Sequence, residues 1–414
     1  MKEHKHHPET EAVRAGTDLD KKNGPVTTPI YQTSTFEVTD NEEQLRATST
    51  DMFYTRYGNP THTVAENAIA ELEGVDAALL FASGMNAITT SVLSLLKSGD
   101  HVVAQRDIYG GATKFFSQWL PKLGVETTFV DTTEYDQHGR AIRPNTKLLY
   151  LESPTNPTLR VVDLRQVTAL AKQHNLITFI DSTFATPINQ RPGDFGIDLV
   201  MHSGTKYFAG HSDLICGIVA GRQDLIQKIH ETRTTLGGVM DPHAAWLLLR
   251  GIKTLAVRVQ RQNDNALRIA QFLARHAQIR RVHYPFVEGH PQRALAVEQM
   301  HGGGGVLSFE VDGAGEDAKR LTEALRLFSL APSLGGVGSL VTIPVLTSHA
   351  MISADQRQKM GVTDQLIRLA VGIENADDLI ADLEQALTVV AGTRQHAQVN
   401  SPVILSGAGS FARE

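Results

Sequence analysis

The sequence predicts an α/β fold: a large domain on a mixed, mainly parallel sheet, followed by a smaller C-terminal α/β domain. Three observations carry that prediction. Nearly continuous apolar runs recur as "VETTFV", "KLLYLES", "LITFID" and "IDLVMHS", and such runs read as strands buried on both faces of a parallel sheet. Helical patterns separate several of them, the alternation expected of βα units. Near residue 240 the pattern changes to a long helical stretch that links two units.

Taken in order, "FASGMNAITTSVLSLL" supplies a strand end, a small-residue turn at Ser83–Asn86 and a helix start. "DLRQVTALAKQHN" opens on an N-cap at Asp163 and sets Leu164, Val167, Leu170 and Ala171 on one face. "LITFID" follows and ends in Asp181. Beyond residue 240, Ala266, Ile269, Ala270 and Leu273 form a core-facing helical stripe. The second unit holds a strand in "GGVLSFEV", a helix across "DAKRLTEALRLF" and a strand in "LIRLAVG". It closes with "NADDLIADLEQALTVV", where Leu379, Ile380, Leu383 and Leu387 share a face. The expected division is an N-terminal arm at 1–55, a large domain at 56–250, a C-terminal domain at 251–393 and a loose polar tail at 394–414.

Composition narrows the function classes. The chain has 414 residues with 39 basic and 45 acidic side chains, which gives no electrostatic case for nucleic acid or a membrane surface. One cysteine, Cys216, excludes a disulfide framework and a cysteine-based zinc site. No apolar run approaches the roughly 20 residues that span a bilayer, and "MKEHKHHPET" lacks the apolar segment of a secretory signal. The expectation is a cytoplasmic protein. His4, His6 and His7 could chelate a metal, but no second cluster completes a site, so no metal is expected.

The chemistry centres on "MHSGTKYFAG", which sets Lys206 among small and hydroxyl residues. A lysine used as a nucleophile must be partly desolvated and aimed. Asp181 ends a buried strand, where a carboxylate is costly unless it meets a cation or several donors. It either caps the turn into "STFATP" or faces a ligand at the carboxyl end of the sheet. A carboxylate and a lysine on neighbouring strand ends suit a pyridoxal-phosphate site, with the amine on the aldehyde and the acid on the pyridine nitrogen. The amides of Gly84 and Met85 at a helix start would face the phosphate, and Ser203 and Thr205 add hydroxyl donors. Tyr109, before a glycine pair in "DIYGGATKFF", could cover the flat ring or be an ordinary core tyrosine. Arg368 stands inside an apolar strand, where a buried arginine usually has a carboxylate partner, internal or from a substrate.

Nine motifs then fall in order across residues 54–375: "YTRYGNPT", "FASGMNA", "IYGGATK", "ESPTNPTLRVVDL", "IDSTFATPINQRP", "HSGTKYFAGHSD", "RGIKTL", "APSLGGVGSL" and "IRLAVGIEN". Together they resemble the Cys/Met-metabolism family of pyridoxal-phosphate enzymes, which includes cystathionine γ-synthases, cystathionine γ- and β-lyases, methionine γ-lyases and homoserine sulfhydrylases. The resemblance implies the aspartate-aminotransferase-like (type I) fold. It implies Lys206 as the Schiff-base lysine, Asp181 as the pyridinium partner and Tyr109 as the stacking ring that assists proton transfer. Gly84, Met85, Ser203 and Thr205 would hold the phosphate, joined by Tyr54 and Arg56 from a neighbouring subunit. Asn156, Ser333 and Arg368 would bind the substrate carboxylate or orient the cofactor. It also implies a homotetramer built from active dimers, acting on small amino-acid substrates.

Departures from the family pattern bear on the reaction. Gly111 stands where methionine γ-lyases carry a cysteine, Pro332 and Gly338 where glutamates are common, and Gly204 where alanine is commoner. "APSLGG", "ATPINQ" and "ESPTNPTLR" resemble plant-type γ-synthases. The expected reaction is γ-replacement on an activated homoserine by cysteine, with γ-elimination of cystathionine the alternative. Sulfhydrylation and other C–S lyase chemistry stand behind these. Glycine-rich "HGGGGVLS" fails nucleotide-binding spacing, and G-x-S-x-G is absent. A non-catalytic binding protein on this fold should have lost Lys206 or Asp181, and this chain keeps both.

Overall fold

The apolar runs pair side by side in the computed structural model, which describes residues 6–17, 25–48, 50–350 and 354–399. Seven of them form the larger sheet: β1 (Ala77–Phe81), β2 (His101–Gln105), β3 (Glu126–Val130), β4 (Thr146–Glu152), β5 (Ile177–Asp181), β6 (Leu199–His202) and β7 (Gly217–Gly221). Their order is β1-β7-β6-β5-β4-β2-β3. Strands β2 to β6 pair in parallel, whereas β7 runs antiparallel to both β1 and β6. Central strands are covered on both faces, so Val102, Leu149, Ile180 and Val200 are buried and the strands carry no alternation.

The helix Leu164–Gln173 starts where the sequence places it. Asp163 accepts the Gln166 amide at 3.0 Å, and Leu164, Val167 and Ala171 face inward. Each of the larger two contributes about 1.5–3 kcal/mol through burial.

The long helical stretch is two helices, Pro242–Ile252 and Leu255–Arg275, capped at the start by Asp241. Ala266, Ile269, Ala270 and Leu273 are buried as their spacing requires. A second sheet follows: β8 (Ile279–His283), β9 (Val306–Val311), β10 (Ser329–Leu330), β11 (Leu340–Thr342) and β12 (Leu366–Ala370), in the order β10-β11-β12-β9-β8. Its pairings are antiparallel except β10 with β11.

Two expectations need adjustment. The helix expected across "DAKRLTEALRLF" ends at Ala324. The Asp382 carboxylate captures the amides of Arg326 and Leu327, at 3.0 and 2.8 Å, and pulls the chain out of the helix. The last helix, Ala376–Val399, runs past the point where a loose tail was expected. Residues 400–414 and His4 lie outside the described residues. Among those described, no group of three or more acidic, histidine or cysteine side chains is placed to hold a metal. No described helix is long and apolar enough to cross a membrane.

Candidate active site

The carboxyl ends of β4, β5 and β6 meet the start of the helix Gly84–Leu95 at a cavity of about 680 Å³. Gly84, Met85, Tyr109, Asn156, Asp181, Ser203, Thr205, Lys206, Ser333 and Arg368 all line it. Tyr54 and Arg56 do not. They border a separate cleft with Gln32 and Asp241, where Arg56 donates to the Thr234 carbonyl at 3.0 Å.

Lys206 sits in the turn after β6 and donates to Ser333 Oγ at 2.9 Å. That is the one hydrogen bond of its amine among the described residues, and no carboxylate pairs with it. Burial, then the nearby Arg368 cation, lower its pKa from the usual lysine value, so more of the amine is free base at neutral pH. The turn is held rigidly. Arg258, buried and pushed down to about 10 by that burial, donates to the Tyr207 carbonyl at 2.7 Å. Tyr207 Oη accepts the Gly305 amide at 3.1 Å, tying the turn to the second sheet. Gly335, at φ +76°, presses against the same backbone; a Cβ there would lie 2.7 Å from the Tyr207 nitrogen.

Asp181 ends β5 fully inside the protein. Its Oδ1 accepts the amide and hydroxyl of Thr183, at 3.0 and 2.5 Å, and Thr183 Oγ1 accepts the Ser203 amide at 2.9 Å. Burial raises the Asp181 pKa despite those hydrogen bonds. Glu152, which the sequence reading missed, ends β4 beside it. Glu152 accepts the amides of Tyr109 and Asn156, at 2.7 and 3.0 Å, and so positions two of the expected site residues. Burial, then Asp181, push its pKa well up. The signal that singled out Asp181, a carboxylate ending an apolar run, applies equally to Glu152.

At the helix start, Ser83 caps the Asn86 amide at 3.1 Å. The Gly84 and Met85 amides have no partner among the described residues, as first-turn donors do not. Gly84 leaves room for Ser203; a Cβ at 84 would lie 3.2 Å from Ser203 Oγ. The Thr205 hydroxyl is already engaged, donating to the Cys216 carbonyl at 3.2 Å and accepting its amide at 2.9 Å. Free amides, a free serine hydroxyl and a helix dipole make an anion cradle.

Arg368 donates to Asn156 Oδ1 at 2.9 Å and to the Ser333 carbonyl at 3.0 Å. Its Nε has no partner among the described residues, and burial pushes its pKa down to about 10. Among the described residues no carboxylate pairs with it.

A buried amine, a buried carboxylate and an anion cradle around one cavity fit pyridoxal phosphate, and with the two-sheet frame they define a pyridoxal-phosphate enzyme of the type I fold. Residues 9–388 match the Cys/Met metabolism PLP-dependent enzymes, and the chain belongs to that family. It is 42% identical to a cystathionine gamma-lyase of Bacillus subtilis over 91% of this chain and 97% of that one. It is also 42% identical to a cystathionine beta-lyase of the same organism, over 94% of this chain and 99% of that one. A crystal structure of cystathionine gamma synthase from Xanthomonas oryzae, in complex with aminoacrylate and cysteine, superposes with a TM-score of 0.90 at 38% identity, covering 94% of this chain and 99% of that one. Equal identity to a gamma-lyase and a beta-lyase leaves the choice of reaction to the residues of the site.

Proposed function

We propose that this enzyme catalyses γ-replacement, joining an activated homoserine to cysteine to form cystathionine. Lys206 tethers the cofactor and carries protons; Asp181 pairs with the ring nitrogen. Gly84, Met85, Ser203 and Thr205 hold the phosphate, the last through a hydroxyl re-aimed from the Cys216 carbonyl. Tyr109 stacks on the ring and assists proton transfer, while Arg368, Asn156 and Ser333 fix the substrate carboxylate. When bound, pyridoxal phosphate supplies a ring that withdraws the electron pair released at the substrate Cα. The lowered pKa of Lys206 suits it to take protons from Cα and Cβ and to return them.

One observation carries the preference for synthesis. Among the described residues, Asp181 and Glu152 are the only carboxylates lining the cavity, and both are buried at its floor. The exposed mouth, at Tyr109, Ile215, Pro332 and Thr347, offers no anion for the second ammonium group of cystathionine. A site that makes cystathionine gains from holding it weakly, because tight binding of product slows release. Gamma-elimination of cystathionine is the second reading, supported by the likeness to the Bacillus subtilis gamma-lyase.

Tyr54 and Arg56, exposed and away from their own cavity, support a second copy completing each site, in a homotetramer of paired active dimers. The unpaired Cys216 and the charge balance support a cytoplasmic location. The decisive assay supplies O-acetyl-, O-succinyl- and O-phosphohomoserine with and without cysteine, and cystathionine alone. Cystathionine formation from one ester should outpace all cleavage. Faster cleavage of cystathionine than its formation from every ester would hand the assignment to the lyase.

A further inference from the structure

The mouth of the cavity carries a hydroxyl that the reading above does not use. Ser348 lines the cavity, and its Oγ lies 2.8 Å from Nδ1 of His349. The His349 ring is fully buried, and its Nε2 has no partner among the described residues. The loop beneath is pinned in place. The amides of Thr347 and His349 donate to the Pro344 carbonyl, at 3.1 and 2.9 Å, and the hydroxyls of Thr347 and Thr342 meet at 2.9 Å. The Ser348 carbonyl packs against Gly110, next to Tyr109; a Cβ at 110 would lie 2.8 Å from it.

This geometry favours one direction for the serine hydroxyl. Burial, then the charges of Arg368 and Arg357, lower the His349 pKa to about 4, so the ring is neutral and carries one N–H. A proton on Nε2 would be a buried donor without an acceptor, the rarer and costlier arrangement. The proton therefore sits on Nδ1 and is donated to Ser348 Oγ. The serine's own O–H is left free to donate into the cavity.

We propose that Ser348, aimed by His349, donates a hydrogen bond to the acyl oxygen of an ester carried on the substrate's side chain. Ser348 is thus a specificity residue and His349 its positioning residue. The inference rests on the amino-acid site described above and fixes its substrate class as an oxygen ester. A thioether sulfur is a weak acceptor and gains little from the same donor.

The test compares two unreactive amino acids binding to the holoenzyme by calorimetry. One is the amide in which N–H replaces the ester oxygen of O-acetylhomoserine; the other is the alkyl amino acid of equal length. The unmodified enzyme should favour the amide by about three- to ten-fold, the worth of one net hydrogen bond. Ser348→Ala should abolish that preference and leave alkyl binding unchanged, while Ser348→Thr keeps it. His349→Leu should match Ser348→Ala with no further loss in the double variant, and His349→Asn, which offers an amide N–H near the place of Nδ1, should recover it. An unchanged preference in Ser348→Ala, or equal weakening of both compounds, would overturn the proposal even if the histidine variants do not fold. Failure of either compound to bind the unmodified enzyme, or absence of its visible cofactor band, would overturn the reading of the site itself and this inference with it.

Discussion

Glu152 and Asp181 are register partners at the ends of β4 and β5, two buried carboxylates side by side in the floor of the cavity. Burial raises both pKa values, and the Asp181 charge adds to the rise at Glu152. In the folded protein such a group keeps a proton that the unfolded chain has lost. Their contribution to the stability of the cofactor-free enzyme should therefore fall as pH rises from 3.8 for Asp181 and 4.5 for Glu152, their ordinary values, through the raised folded values, while buried histidines with lowered pKa act the other way. Glu152→Gln should remove its share of that fall, because it removes one of the two titrating carboxyls. Urea denaturation at a series of pH values checks this, and an unchanged slope in the variant would contradict it.

Gly111 gives the Tyr109 ring its position. A Cβ at 111 would lie 2.6 Å from that ring and 2.8 Å from Met85 Sδ. Gly111→Ala should therefore displace the ring while the fold persists. The expected result is a fall in kcat of about ten- to a hundred-fold, as for a misplacement of about 1 Å, with little change in Tm. Steady-state kinetics and a thermal melt read the two effects separately.

Gly204 and Cys216 share one space. A Cβ at 204 would collide with the Cys216 sulfur and press on Ile218, so the thiol fills the room that the glycine leaves. Gly204→Ala should cost about 1–3 kcal/mol through overpacking. Adding Cys216→Ala should recover much of that loss, a coupling of about 0.5–3 kcal/mol in a double-mutant cycle. Additive losses by chemical denaturation would contradict the shared-space account.

The elements and site residues legible in the sequence are those that break a pattern. Asp181 closes an apolar run, Lys206 stands in a turn of small residues, and Arg368 interrupts a strand; the cavity gathers all three. Glu152 sends the same signal as Asp181, yet no partner close in sequence marks it. Ser348 and Thr183 are hydroxyls in loops, with no spacing to separate them from surface residues. Strand β7, "GIVAG", is a short run bounded by glycines, and pairing with β1 and β6 holds it as a strand. Its Gly217 lets the strand run tight under the Ser83 carbonyl, with no room for a side chain. The helix that stops at Ala324 is ended by Asp382, a residue of the last helix, and local propensity carries no trace of that contact.

If a neighbouring copy supplies Arg56, two inactive variants should rescue each other. Lys206→Ala and Arg56→Ala, mixed as unfolded chains and refolded together, should form hybrid dimers with one intact site each. Statistical pairing then gives about a quarter of the unmodified activity. No recovery above the separate variants would place both residues in the same site of one chain.

The amine of residue 206 is the group on which the cofactor bond depends. Holoenzyme is treated with borohydride, digested, and its peptides weighed and sequenced by mass spectrometry. The expected result is the reduced cofactor bonded to Lys206 and the same digest of Lys206→Ala free of it. Cofactor recovered on a different lysine, or released entirely unbonded after reduction, would contradict the account.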